Sequence, residues 1–404
     1  MKKEIKYIVI VPDGMADNSL AEFGGKTPLA VARTPNMDFM AVNGKIGLSS
    51  FIPQGMTPGS DVANLAIFGY DPKKYFSGRA SFEATNLGIK IKEGEIAFRC
   101  NFITEENDIL IDYSAGHIKT KEAHVLIKVL NNRLGNDIFR FYPGTSYRHI
   151  LVIKDPNHAY EALKCFPPHD IMGKSVAEHL PHLKADDKLL ILLKQAKEVL
   201  DEHEVNMVRR DLSENPANMI WLWGQGKKHD LPFFKKKYGA GGSVISAVDL
   251  IKGIGKSIGL MPIDVPGATG YYDTDYAAKA KYALMSLERE NFVFIHVEAT
   301  DEAGHNGDAR AKIIAIENID RLIIGKILEE YKDRDDFRIL VLPDHPTPVA
   351  LKTHTSDPVC FLMYGHGVAK DEFLWYNELE AGKSDFRFKN GFELMDWFMG
   401  RDSF

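Results

Sequence analysis

The 404-residue chain is 45% hydrophobic with a net charge of −6, which allows two or three packed domains and argues against nucleic acid or an anionic membrane as a partner, since no sustained Lys/Arg block offsets the acidic balance. Cys100, Cys165 and Cys360 are widely spaced and lack metal-ligand spacing, so neither a disulfide framework nor a zinc ribbon is expected and a reducing cytoplasm suits them. The basic start Met1-Lys2-Lys3 is followed by an apolar stretch too interrupted for a leader, and no segment approaches the roughly 18 apolar residues of a membrane span, so a cytoplasmic protein is expected.

Residues 5–11 form an apolar run that predicts a buried strand ending at Pro12-Asp13-Gly14. A helix is expected over 35–42, stopped by Asn43-Gly44, then a short strand over 46–51. The loop Pro53-Gln54-Gly55-Met56-Thr57-Pro58-Gly59-Ser60 leads into a helix over 61–67. From about Gly78 the texture changes. Residues 96–103 and 109–113 flank the polar break 105–108 as a hairpin, followed by a helix over 120–134, strands over 138–142 and 147–153, and a helix near 189–203. After Tyr238-Gly239-Ala240-Gly241-Gly242 the alternation of strand and helix resumes. A strand-helix unit starts at 243–247, a short strand covers 262–265, and a helix covers 274–287. A strand over 292–297, a long helix over 309–331 and strands over 337–342 and 359–364 follow.

Asp13, Asp301, His305, Asp344, His345 and His354 lie in turns that follow or neighbour these strands, where an open parallel sheet presents its binding edge. All fall before Gly78 or after Tyr238, so the expected organisation is a discontinuous metal domain of residues 1–77 and 237–404 with an α+β domain of 78–236 inserted. Asp301 and His305 are four residues apart and share a face if that turn is helical. Asp344 and His345 leave a strand end in opposite directions, which suits two neighbouring metals or two sides of one. Any one of these histidines is ordinarily a hydrogen-bonded surface or core imidazole, but together they read as a two-metal site. Oxygen and imidazole ligands without thiolate point to Mn²⁺, Mg²⁺, Co²⁺ or Zn²⁺. Ser60 follows Gly59 at a helix start, where a serine is ordinarily an N-cap. Beside two metals and the positive end of a helix it is instead a nucleophile.

Pro12-Asp13-Gly14, Thr57-Pro58-Gly59-Ser60-Asp61, Thr300-Asp301-Glu302-Ala303-Gly304-His305, Pro343-Asp344-His345-Pro346-Thr347-Pro348 and Thr353-His354-Thr355-Ser356-Asp357-Pro358 resemble the archaeal-type, cofactor-independent phosphoglycerate mutases of the alkaline phosphatase superfamily. The resemblance spans essentially the whole chain. It implies an α/β, mostly parallel sheet flanked by helices, and interconversion of 3- and 2-phosphoglycerate through a phosphoserine at Ser60. It also implies two divalent ions, with Mn²⁺ or Mg²⁺ foremost, and no need for 2,3-bisphosphoglycerate. One ion would be held by Asp301, His305 and His354, the other by Asp13, Ser60, Asp344 and His345.

The inserted domain should then hold the substrate's carboxylate and phosphate. Arg79, Arg99 and Arg148 are candidates because a guanidinium forks onto oxyanions, with His117 and His169 as further donors. Core packing or a hinge is expected of Asn218 and Trp221. The two domains are expected to close over substrate. His117 stands where archaeal members carry an arginine, and Glu298 where they often have a lysine. These departures resemble a bacterial branch, some of whose members have been proposed to act as homoserine kinases, so a homoserine kinase-like phosphotransferase or a phosphomonoesterase is the alternative.

Overall fold

The computed structural model of the chain describes residues 4–181, 184 and 187–400; the basic start at 1–3 and residues 401–404 lie outside it. The chain forms two compact units, one running to Phe76 and resuming at Leu231, the other Ser77–Asp230. The first unit resumes before the expected 237 because the helix Phe234–Tyr238 belongs to it. The Phe234 ring packs 4.4 Å from that of Phe292.

The first unit is built on an eight-stranded sheet. Its order is Arg387–Phe388, Lys45–Ser49, Val359–Gly365, Phe337–Val341, Lys6–Pro12, Phe292–Val297, Gly242–Ile245 and Met261–Ile263. The last five run parallel, whereas Val359–Gly365 is antiparallel to both neighbours, so the expected mostly parallel sheet flanked by helices is what this unit contains. Strands covered on both faces read as unbroken apolar runs, and Ile8, Ile10, Val293, Ile295, Ile339 and Val341 join the helical residues Met37, Met40, Ala283, Ile316 and Ile323 in one core. The helix expected over 309–331 is continuous but widens into a π-helical stretch at Ile319–Ile324. Pairing of Pro12 with Val297 and of Ile10 with Val341 sets three strand ends side by side, about 4.8 Å apart.

One buried cation ties the loops beyond those ends together. Lys312 has no exposed surface, and its Nζ lies 2.7 Å from Asp17 Oδ2 and 2.9 Å from the Thr347 carbonyl. Asp17 Oδ2 also accepts the Val349 N–H at 3.1 Å. Lys312→Met strands the Asp17 carboxylate in the interior, so urea unfolding should show a loss of about 3–5 kcal/mol, with partial recovery on adding Asp17→Asn.

The second unit carries an antiparallel sheet. Glu95–Glu106 is its long strand, paired with Arg148–Lys154, Met219–Lys227 and Ile109–Asp112, while Phe139–Tyr142 pairs with Arg148–Lys154. The turn at Asn107-Asp108 has both residues left-handed, φ 51° and 67°, which matches the twist of the strands it joins. Along the long strand Ile96, Phe98, Cys100 and Phe102 face the helices Thr120–Leu134 and Lys188–Asp201. Ala97 lies on the other face with Ala80 and Ala84 of the helix Arg79–Asn86. The strand Met219–Lys227 was not expected: core packing was read at Trp221, which is indeed buried, and Asn218 brackets Glu105 by bonds of 2.9 and 2.8 Å to its backbone. Among the described residues no helix is long and apolar enough to cross a membrane.

Two histidines of this unit, His149 buried and His229 half-buried, are held as neutral rings. Burial pushes His149 down to about 3, helped by His124, and its Nδ1 accepts the Gly144 N–H at 2.9 Å. Burial likewise pushes His229 down to about 4, with Asp230 opposing. The unfolded chain binds these protons near pH 6.5. Stability is therefore full above about pH 6.5 and lost as pH falls toward the folded values. The urea midpoint of the full chain should fall between about pH 6.5 and 4, and less so in His149→Gln.

Candidate active site

The side-by-side strand ends of the first unit deliver their carboxylates to one place. Asp13 follows Lys6–Pro12 directly, Asp301 enters on the short helix Ala299–Asn306 after Phe292–Val297, and Asp344 follows Phe337–Val341. Asp344 is anchored by the N–H groups of Gly14 and His345, both 3.0 Å from Oδ1, and by Asn64 Nδ2, 2.8 Å from Oδ2. Asp301 accepts Thr347 Oγ1–H at 2.5 Å. Gly14 has φ +59°, and a Cβ there would lie 2.4 Å from both Asp301 Oδ1 and Thr347 Oγ1.

The imidazoles converge on these oxygens. His305 Nε2 lies 3.3 Å from Asp301 Oδ2 and His354 Nε2 lies 3.4 Å from Asp301 Oδ1. The two ring nitrogens face each other at 3.0 Å. His305 Nδ1 is 3.0 Å from the Lys352 carbonyl, whose residue takes φ +58° to present it. A carbonyl only accepts, so His305 carries its proton on Nδ1 and turns Nε2 inward. His345 Nε2 lies 3.5 Å from Asp13 Oδ1 and from Asp344 Oδ2.

Ser60 is not the N-cap. Gly59 holds that position, and Ser60 opens the helix Ser60–Ile67 with its Oγ 3.2 Å from His345 Nε2. One turn on, Asn64 donates to the Ser60 carbonyl at 2.9 Å as well as to Asp344, so one helix face connects the serine to the cluster.

Electrostatically the cluster is short of positive charge. Among the described residues no Lys or Arg pairs with Asp13, Asp301 or Asp344; their ion-pair partners are histidines. Burial, then the charges of Asp344 and Asp301, drive the Asp13 carboxyl well above its ordinary range, and its Oδ1 has no hydrogen-bond donor. Burial opposes ionisation of Asp301, but His305 and His354 outweigh it and hold its carboxyl well below the ordinary range. The hydrogen bond to Asp301 in turn lifts His305 to about 9. Such a set of oxygens and imidazoles fits divalent cations. Three groupings have ligand atoms within 4.8 Å of one another: Asp301 with His305 and His354, Asp13 with Asp301 and His345, and Asp13 with His296 and Asp344.

The expected substrate-binding residues also come together, within the second unit. Arg99 shares the Ala97 face of its strand, and in register it opposes Trp223. Its guanidinium lies 4.1 Å above the Trp223 ring and its Nε 2.9 Å from Glu83 Oε2. Arg79, one helical turn before Glu83, holds the other carboxylate oxygen at 3.0 Å. Burial raises the Glu83 carboxyl, but Arg99, Arg79 and Arg148 outweigh it and hold it below the usual range. Two guanidiniums thus hold one carboxylate and the charge of a third, Arg148, reaches it, an excess of positive charge suited to an oxyanion. His169 is 5.8 Å ring to ring from Trp223, and His117 is 6.3 Å from Tyr147.

His117 ends a run of three left-handed residues, Ala115, Gly116 and His117 at φ 50°, 66° and 50°. Such strain, about 1–2 kcal/mol for each non-glycine residue, persists only where surroundings impose it. Asp112 does so by accepting the N–H groups of Ser114 and Gly116 at 2.7 and 2.9 Å. Buried Arg209 adds a 2.9 Å bond to the Ala115 carbonyl.

His296, Asn64, Thr347, Glu83 and Trp223 escaped the sequence reading as site components. An imidazole inside the apolar strand FVFIHV was the available signal for His296, and the i, i+4 spacing from Ser60 was the signal for Asn64.

Gly14→Ala should weaken uptake of a divalent cation by metal-stripped protein more than 10-fold by calorimetry. It should also destabilise the protein by about 2–4 kcal/mol in urea, adding left-handed strain to overpacking against Asp301 and Thr347.

Comparison with known proteins gives the same direction. The family described as 2,3-bisphosphoglycerate-independent phosphoglycerate mutase matches residues 41–206. The 2,3-bisphosphoglycerate-independent phosphoglycerate mutase 2 of Methanothermobacter thermautotrophicus is 48% identical over 98% of this chain and 97% of its own. A probable 2,3-bisphosphoglycerate-independent phosphoglycerate mutase of Geobacter sulfurreducens is 44% identical over 98% and 100%. Among solved structures, a Pyrococcus horikoshii protein has a TM-score of 0.84 at 32% identity, covering 100% of this chain and 99% of that one. The cofactor-independent phosphoglycerate mutase of Thermoplasma acidophilum has a TM-score of 0.66 at 26% identity, covering 99% and 100%. With relatives this similar along their full length, the chain belongs to the family of 2,3-bisphosphoglycerate-independent phosphoglycerate mutases.

Proposed function

We propose that this enzyme is an isomerase that interconverts 3-phosphoglycerate and 2-phosphoglycerate through a phosphoserine at Ser60, without 2,3-bisphosphoglycerate. The observation that carries the reading is Ser60 at a helix N-terminus, its Oγ 3.2 Å from His345, beside three carboxylates, two of them buried, that have no Lys or Arg partner among the described residues. Asp301, His305 and His354 would hold one divalent ion and Asp13, Ser60, Asp344 and His345 a second, Mn²⁺ or Mg²⁺. When bound, such ions supply charge compensation and Lewis-acid polarisation for phosphoryl transfer.

The protein's own groups do the rest. Ser60 Oγ gives up its proton and forms a bond to phosphorus as the bond to the substrate's 3-oxygen breaks and that oxygen takes up a proton, the reverse exchange occurring at the 2-oxygen on return. The glycerate 2-hydroxyl then takes the group back, restoring the serine. Atoms balance within one substrate, which removes any need for a second phosphoryl donor. The positive end of the helix Ser60–Ile67 favours the anionic serine oxygen, and Asn64 couples the first turn of that helix to Asp344. Arg79, Arg99 and Arg148 would bind the carboxylate and phosphate, with His117 and His169 as donors and Trp223 as the platform that orients Arg99. The full-length relatives favour this reading over a homoserine kinase-like or phosphomonoesterase activity. Three free cysteines, two of them buried, suit a reducing cytoplasm as its compartment.

Metal-stripped protein resupplied with Mn²⁺ or Mg²⁺ should convert 3-phosphoglycerate to 2-phosphoglycerate with no added bisphosphoglycerate, measured by coupling to enolase. Ser60→Ala should lower the rate by roughly three orders of magnitude or more. A folded, metal-loaded wild type with no turnover would sink the assignment.

A further inference from the structure

His296 is a fully buried imidazole within the strand Phe292–Val297, its ring lying between the carboxylates of Glu298 and Asp13. Nδ1 lies 3.2 Å from Glu298 Oε1, whereas Nε2 makes no hydrogen bond and stands at an ion-pair distance of 3.4 Å from Asp13 Oδ2. Glu298 is held as a saturated acceptor. It takes Ser246 Oγ–H at 2.8 Å, the Ala247 N–H at 3.1 Å and Lys279 Nζ at 3.0 Å. Lys279 is itself without exposed surface and also reaches the His296 carbonyl at 2.7 Å. An ionised carboxylate only accepts, so His296 gives it Nδ1–H, and the orientation of the ring is set.

Asp13 therefore has two unlike oxygens. Oδ2 rests against His296, while Oδ1 has no donor and stands 3.5 Å from His345 Nε2, on the side where the second cation would be held. A carboxylate free to turn about its Cβ–Cγ bond would offer either oxygen to that cation. Apolar side chains of similar volume would fill this space with equal or better stability, so three buried polar groups in series behind a candidate ligand are better explained by the direction they impose.

We propose that Lys279, Glu298 and His296 form a buried positioning chain that turns Asp13 Oδ1 toward the second cation. The affinity of that site then depends on three side chains outside the expected ligand set. Histidines and carboxylates that orient ligands in this way typically govern metal affinity by 10- to 100-fold. The inference rests on the two-metal reading above.

Asparagine and glutamine separate the two edges of the ring. In His296→Asn the amide can replace Nδ1 and keep Glu298, but it is too short to reach Asp13. In His296→Gln the amide reaches the Nε2 position. Calorimetric titration of Mn²⁺ into metal-stripped full-length protein, with thermal melting of the metal-free forms as the fold check, reads the outcome. Wild type should take up two ions. His296→Asn should lose about 10- to 100-fold at one of them, and His296→Gln, which keeps the contact to Asp13 but gives up the one to Glu298, should lose clearly less. Equal losses in the two variants, or no loss in His296→Asn, would overturn the positioning chain while leaving the two-metal reading intact. A wild type that binds no Mn²⁺ would overturn the two-metal reading, and the chain with it.

Discussion

Among the described residues, a set of close carboxylates with no lysine or arginine partner is the constraint around which the first unit is arranged. Parallel pairing of the strands ending at Pro12, Val297 and Val341 brings Asp13, Asp301 and Asp344 together. Nearby lysines are already committed, Lys312 to Asp17 and Lys279 to Glu298. Had either ammonium reached the cluster, it would have neutralised the carboxylates and left no electrostatic demand for a metal. Instead each lysine closes a separate buried pair one layer away, which fixes the loops and leaves the inner oxygens to exogenous cations. A buried ion pair adds little net stability over an apolar filling, so the value of these pairs lies in the geometry they hold.

The second unit has the inverse arrangement. Glu83 draws Arg79 and Arg99 together by their Nε edges, Arg148 adds a third charge, and the excess is positive. The strained Ala115–Gly116–His117 turn nearby is held by Asp112 and Arg209. Strain in one turn, a buried guanidinium on an indole and an unbalanced charge count are separate costs to folding. Their occurrence in one unit suits a site for a small anion.

Much of this was legible because parallel strands covered on both faces leave long apolar runs, with chemistry in the turns that follow. Asp13, Asp344 and His345 were readable for that reason, and Asp301 with His305 by their helical spacing. The strand Met219–Lys227 was missed. Its short run of large apolar residues, MIWLW, serves a core equally well in several conformations, and only its pairing with Glu95–Glu106 decides the matter. The return to the first unit at Leu231 was also hidden, since it depends on Phe234 finding Phe292 across the fold.

The sequence by itself determined the residue types, their order along the strands and the absence of thiolate ligands, and hence a site for divalent cations beside a serine. Local chemistry suffices for that, because turn motifs and strand periodicity are properties of neighbouring residues. Only the tertiary structure decided that Asp13 stands between His296 and His345, that Ser60 is the first helical residue and not a cap, and that Glu83 and Trp223 stand behind the arginines. Each of those depends on contacts between residues tens to hundreds of positions apart, where direction and distance are set by packing and leave no trace in local spacing.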